Sequence, residues 1–162
     1  MTRLRSARPS RMRNVWPVRE EAQAVGHSRS IVRAELSGLG LPAELVDDAV
    51  LMVSELITNA FLYGAAPYEL VLHVDTEEIR CAVVDSNTAL PEPGAADPRA
   101  EHGRGLHIVA ALSEGFYGCH PQRYVTSPGL LGKATWFALP RGPRRPPAAE
   151  PAMTSPAMKS SA

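Results

Sequence analysis

The sequence predicts a two-layer α/β sandwich, and three observations predict it. Two long segments carry apolar residues at helical spacing, several shorter ones alternate or run apolar as strands do, and a third helical segment interrupts the strands. Helices and strands alternating within one chain of 162 residues give a layered α/β class. That length suits a single domain and buries about two-thirds of the unfolded surface without disulfides or metals.

The elements follow in order. Residues 15–18 read as a short first strand, ended by Pro17 or just after it. From about Glu20 to Ser37, the residues Val25, Ile31, Val32, Leu36 and Leu39 recur with a helical period, and Gly38 and Gly40 stop the helix. Pro42 opens a second helix that runs to about Tyr63, with Gly64 as its stop. Its apolar arc comprises Leu45, Val46, Ala49, Val50, Met52, Val53, Leu56, Ile57 and Ala60. Residues 69–74 and 79–85 read as two strands joined by the acidic turn 75–78. Residues 86–102 form a long connection rich in Pro, Ala and Gly, of a length that in a compact domain serves as a lid or lacks order. A third helix is expected from about Leu106 to Ser113, directly after Gly103-Arg104-Gly105, and residues 115–120 and 134–139 read as the last strands.

Charge divides the chain further. The first fourteen residues hold five arginines and no acid, and residues 141–162 carry a net +3, so a chain of net charge zero leaves residues 15–140 at −8. The expected organisation is a basic disordered arm over 1–14, a folded domain over 15–140 and a Pro/Ala-rich disordered tail over 141–162. Basic arms either bind nucleic acid or acidic surfaces or serve as solubilising extensions, the latter favoured because no aromatics interleave their arginines. The acidic body argues against the domain itself reading DNA. The apolar runs are too short to span a membrane, and no apolar segment follows the basic N-terminus as in a secretory signal, so a cytoplasmic protein is expected. Cys81 and Cys119 lack metal-ligand spacing and read as small buried hydrophobes. Trp136 reads as core, while Trp16 either anchors the first strand or lines a dimer edge.

Polar residues at element boundaries carry the chemistry. Glu55 and Asn59 project roughly 40° apart on the second helix, at the border of its apolar arc, where a carboxylate and an amide can orient a metal ion and its waters. Such pairs also occur as ordinary polar flanks of a core stripe. Asp85 ends an apolar strand, where it either accepts a ligand amino group or simply forms the turn into Ser86-Asn87. Gly103-Arg104-Gly105 precedes a helix, and free N–H groups at a helix start attract phosphate oxygens. No Walker A sequence is present.

In this order, Ser54-Glu55-Leu56-Ile57-Thr58-Asn59-Ala60, Val83-Val84-Asp85-Ser86, Gly103-Arg104-Gly105-Leu106 and Gly132-Lys133-Ala134-Thr135-Trp136 resemble the ATP-binding boxes of the GHKL superfamily. The nearest resemblance is to the small anti-sigma-factor serine kinases, relatives of histidine-kinase ATPase domains, and it covers about residues 15–140. It implies the Bergerat fold, a mixed sheet with helices on one face. It further implies that Asn59 ligates Mg²⁺ and that Glu55 is the general base for a serine or threonine hydroxyl of a partner protein. Asp85 would bind the adenine amino group, and Gly103, Arg104, Gly105 and Leu106 the ATP phosphates, with residues 88–102 as the lid. The implied partners are a sigma factor, a small anti-sigma-factor antagonist, and a second copy of the chain in a homodimer. Three positions depart from the pattern: Asn87 stands where a glycine is usual, Tyr63 where a histidine is frequent, and Ala134 where a threonine is common. They leave a second reading, a binding module of the same fold that sequesters a partner without phosphorylating it.

Overall fold

The computed structural model describes residues 12–90 and 103–142. Eight elements follow one another: β1 (Met12–Val18), α1 (Ala24–Ser37), α2 (Ala43–Tyr63), β2 (Tyr68–Val74), β3 (Glu78–Asp85), α3 (Gly103–Leu112), β4 (Tyr117–Arg123) and β5 (Leu131–Pro140). The strands form one sheet in the order β1-β2-β3-β5-β4, with the helices against one face, which is the two-layer sandwich expected. Strand direction refines that expectation of a mixed sheet, because all four pairings are antiparallel. β3 and β4 do run the same way, linked through α3, but β5 lies between them, so the parallel relation never becomes a hydrogen-bonded neighbour pair.

The core lies between the helices and one sheet face. From α2, Val46, Ala49, Val50, Met52, Val53, Leu56, Ile57 and Ala60 are all buried, as its apolar arc required, and Leu45 packs at the margin. They meet Leu70, Leu72, Ile79, Cys81, Val83, Phe137 and Leu139, the alternate residues of three central strands. α1 adds Val32 and Leu36 and docks on α2. Cys81 is fully buried, its thiol pushed up to about 12 by desolvation, and Cys119 is half-buried, in keeping with their reading as packing residues.

Several boundaries differ from the sequence reading for identifiable reasons. β1 begins at Met12, so residues 12–14, assigned to the basic arm, pair with His73 and its neighbours on β2. The end of β1 at Val18, just after Pro17, is as expected, and the proline is tolerated because β1 is an edge strand. α1 starts at Ala24 rather than Glu20. β4 extends through Pro121 to Arg123, the opposite edge tolerating its proline in the same way. The remainder of the arm (1–11), most of the lid segment (91–102) and the tail from residue 143 lie outside the described residues.

Among the described residues, no helix covers the second face of the sheet. Val71, Ala82, Val84, Ala134 and Tyr124 form a smaller cluster there, with Val15, Val125 and Trp136 against it. Trp136 therefore belongs to this open side rather than to the main core, half-buried beneath the Arg80 guanidinium 4.3 Å from its ring centroid.

Two substitutions test this packing. Leu56→Ala is expected to cost about 2–5 kcal/mol in urea denaturation, as a fully buried side chain of the main core. Gly26→Ala, in α1 with open space around the added methyl, is expected to raise stability by about 0.5–1 kcal/mol.

Candidate functional site

The polar residues singled out in the sequence converge on the helix-covered side of the sheet. Glu55 and Asn59 are half-buried on α2, one turn apart, at the border of the arc that seats the helix. α3 begins at Gly103 rather than Leu106, so Gly103, Arg104 and Gly105 form its first turn, whose N–H groups have no partner within the helix. α3 packs on α2 with Leu106 against the main core. At Gly105 the two helices come so close that an added Cβ would stand 2.7 Å from Glu55 Oε2. The helix start that can receive an anion is thereby beside the carboxylate of α2. The side chain of Arg104 lies outside the described residues.

Asp85 ends β3, 2% exposed, and is held from several sides. Its Oδ1 accepts the N–H of Asn87 at 2.8 Å and that of Ala65 at 3.3 Å. Lys133 Nζ stands 3.8 Å from Oδ2. Gly64 fits between the end of α2 and this carboxylate, because an added Cβ would lie 2.6 Å from both Ala60 O and Asp85 Cγ. Gly64 does follow the last residue of α2, as its reading as a stop required, but its backbone is extended (φ −92°, ψ −169°), so glycine is needed there for space. Gly132 is similarly confined, with an added Cβ 2.5 Å from Asp85 O and 2.8 Å from Tyr124 Cε2.

Asn87, where the resemblance expected glycine, stitches the loop after β3. Its N–H binds Asp85, its Nδ2 donates to Tyr63 O at 3.1 Å, and its Oδ1 accepts from Ala89 N at 3.1 Å. Ser86 Oγ donates to Ala66 O at 2.6 Å. On the open side, Glu69 is 2% exposed yet well satisfied, receiving Val125 N, Thr126 N and Thr126 Oγ1. That carboxylate fixes the chain after Tyr124, whose hydroxyl donates to Pro67 O at 2.6 Å. Around Asp85, Lys133, Gly132 and Tyr124 are residues that sequence reasoning gave no role, and Gly64 was read only as a helix stop. Only Lys133 and Gly132 carried a signal, as members of the last resembling segment.

A cavity of about 330 Å³ lies elsewhere, on the open sheet face, between Arg13, His73, Arg80 and Gln122. It touches none of Glu55, Asn59 and Asp85. Among the described residues no three His, Cys, Asp or Glu side chains gather to hold a metal ion. Mg²⁺ does not require such a cage: it is bound through one or two protein groups together with substrate phosphates and waters, and Asn59 beside Glu55 can supply that.

The profile of the histidine kinase-like ATPase domain matches residues 18–123, from the end of β1 to the end of β4. No curated protein matches the chain. The matched region contains Glu55, Asn59, Asp85 and the first turn of α3.

The glycines at the two ends of the site differ in a measurable way. Gly64→Ala drives a methyl into backbone and a buried carboxylate, and is expected to destabilise by about 1–3 kcal/mol in urea denaturation. Gly105→Ala meets only the far end of the Glu55 side chain, and is expected to leave stability within about 1 kcal/mol while displacing that carboxylate. A second expectation concerns pH. Burial, with the carboxylates of Asp85 and Glu69 nearby, pushes the Tyr124 phenol up to about 12 from 10.0. The unfolded chain then loses this proton before the folded one, so stability falls as pH rises from about 10 towards 12. Tyr124→Phe should make that decline shallower in denaturant titrations across the window.

Proposed function

Since the chain belongs to the histidine kinase-like ATPase domain family, we propose that it is a Mg²⁺-dependent ATP-binding regulator that phosphorylates a serine or threonine of a partner protein, as an anti-sigma factor with kinase activity does. The observation that carries this reading is the approach of α3's first turn to Glu55, marked by the space at Gly105. It sets a helix start, whose N–H groups suit phosphate oxygens, beside Glu55, which lies one turn along α2 from Asn59.

In this reading the phosphates lie at the N–H groups of Gly103, Gly105 and Leu106, and the adenine at Asp85. Asn59 is the protein ligand for Mg²⁺, which supplies charge neutralisation at the phosphates. Phosphoryl transfer then depends chiefly on positioning and electrostatics. Glu55 accepts the proton of the partner's hydroxyl as its oxygen bonds to the γ-phosphorus, and the bond to the β-phosphate oxygen breaks to release ADP. The half-buried setting of Glu55 allows a hydroxyl to reach it while α2 keeps its orientation.

The partners in this proposal are a sigma factor and a small antagonist protein that carries the phosphorylated residue, with a homodimer as the working assembly and the cytoplasm as the compartment. No helix among the described residues is long and apolar enough to cross a membrane.

Calorimetric titration with ATP, with and without Mg²⁺, tests the binding step. Binding should require Mg²⁺ and weaken at least tenfold in Asn59→Ala. Glu55→Gln should retain ATP binding but lose phosphate transfer to the partner by roughly 10²–10⁴-fold, the usual contribution of a general base. Retained binding with no transfer in the wild type would favour the sequestering module. No binding at millimolar ATP would overturn the reading.

A further inference from the structure

Lys133 has no role in the reading above, yet it stands at the base end of the site. It is the cross-strand partner of Asp85 and shares its sheet face. Its side chain is only 12% exposed, whereas a surface lysine ordinarily keeps its ammonium in water. The ammonium instead turns back between two acceptors, 3.2 Å from Ala89 O and 3.8 Å from Asp85 Oδ2. Of its three N–H donors, Ala89 O takes one, and the separation from Asp85 is that of an ion pair rather than a hydrogen bond.

The two oxygens of Asp85 meanwhile have different duties. Oδ1 is committed to the N–H groups of Ala65 and Asn87, which fix the carboxylate plane. Oδ2 is the oxygen that faces Lys133, so an acceptor and a donor are presented side by side on neighbouring strands. Adenine has the complementary edge: its exocyclic amino group donates and its ring N1 accepts. Guanine offers a carbonyl oxygen and an N–H at those same two positions, and each would meet a group of its own kind.

We propose that Lys133 is a specificity-determining residue that donates to adenine N1 while Asp85 Oδ2 accepts from the amino group, so that the pair selects adenine over guanine nucleotides. This rests on the nucleotide reading of the site. A charge-assisted contact in a partly desolvated site carries a larger penalty when lost than an exposed one, and roughly ten- to a hundredfold in affinity is at stake.

Calorimetry of the full chain with Mg²⁺ and ATP, GTP or 1-deaza-ATP, in which C–H replaces N1, tests this. The wild type should bind ATP about ten- to a hundredfold more tightly than either analogue. In Lys133→Met, which keeps the chain length without the donor, ATP and 1-deaza-ATP should bind alike, and the preference over GTP should shrink. Lys133→Arg, which retains a donor, should keep part of the discrimination. Equal affinity of the wild type for ATP and 1-deaza-ATP overturns the inference without recourse to any variant. A penalty for 1-deaza-ATP that is unchanged in Lys133→Met, in protein with a wild-type denaturation midpoint, also overturns it. Failure of the wild type to bind ATP at all overturns the nucleotide reading itself and this inference with it.

Discussion

The seating of α2 on the sheet is the constraint from which the rest of the site follows. Eight of its residues are buried against β2, β3, β5 and α1, which leaves the helix no freedom to rotate about its axis. Glu55 and Asn59 border that buried arc, so their directions are set by the packing of the helix that carries them. α3 then packs against α2 near Glu55, with the Glu55 carboxylate lying against the backbone at Gly105. A rigid element carrying polar groups at the margin of its buried face is a precise way to place the proposed base and metal ligand. Here hydrophobic burial supplies that precision.

The Asp85 end is built on a different principle. A carboxylate that is 2% exposed is costly unless its oxygens find donors, and here two backbone N–H groups and an ammonium surround it. Gly64 and Gly132 allow the chain to crowd around it, while Ser86, Asn87 and Tyr124 tie the surrounding turns to one another. Asn87 illustrates how a departure from a family pattern can be absorbed. Its backbone N–H reaches Asp85, as the N–H of a glycine there could, while its side chain binds Tyr63 O and Ala89 N. The loop gains two hydrogen bonds and gives up the conformational freedom a glycine would bring.

How much of this was legible depended on whether a residue's role is local. The apolar arc of α2, the central strands and the position of Glu55 and Asn59 beside that arc are properties of periodicity, and the structure agrees with the sequence on each. Asp85 was visible as a carboxylate ending an apolar strand, and its bond to the N–H of Asn87 is the local turn that position suggested, but its partners at 65 and 133 are ones no local pattern connects. Gly64 was read as a helix stop from its position alone, and its actual constraint, the Asp85 side chain, is distant in sequence. β1 was cut short at its start, because residues 12–14 read as part of the basic arm, and β4 was cut short before Pro121; only the sheet order shows that both strands are edges. Trp136 alternated correctly with its neighbours, but alternation does not say which face of a sheet the helices cover.

The same alternation decides what the departure at Ala134 means for the site. In register, Ala134 pairs with Val84, and both belong to the cluster beneath the open face with Tyr124. Its neighbours Lys133 and Thr135 pair with Asp85 and Val83, on the helix-covered side. Alanine at 134 is therefore a packing choice on the face away from Glu55 and Asn59, where its small side chain is fully buried. The polar groups that β5 contributes to the Asp85 side are the flanking residues, with Thr135 Oγ1 3.7 Å from Cys119 Sγ and the Lys133 ammonium near Asp85. A hydroxyl at 134 would have to find a partner among apolar side chains on the open face. With alanine there, the strand keeps its polar groups on the side where the proposed base and metal ligand stand.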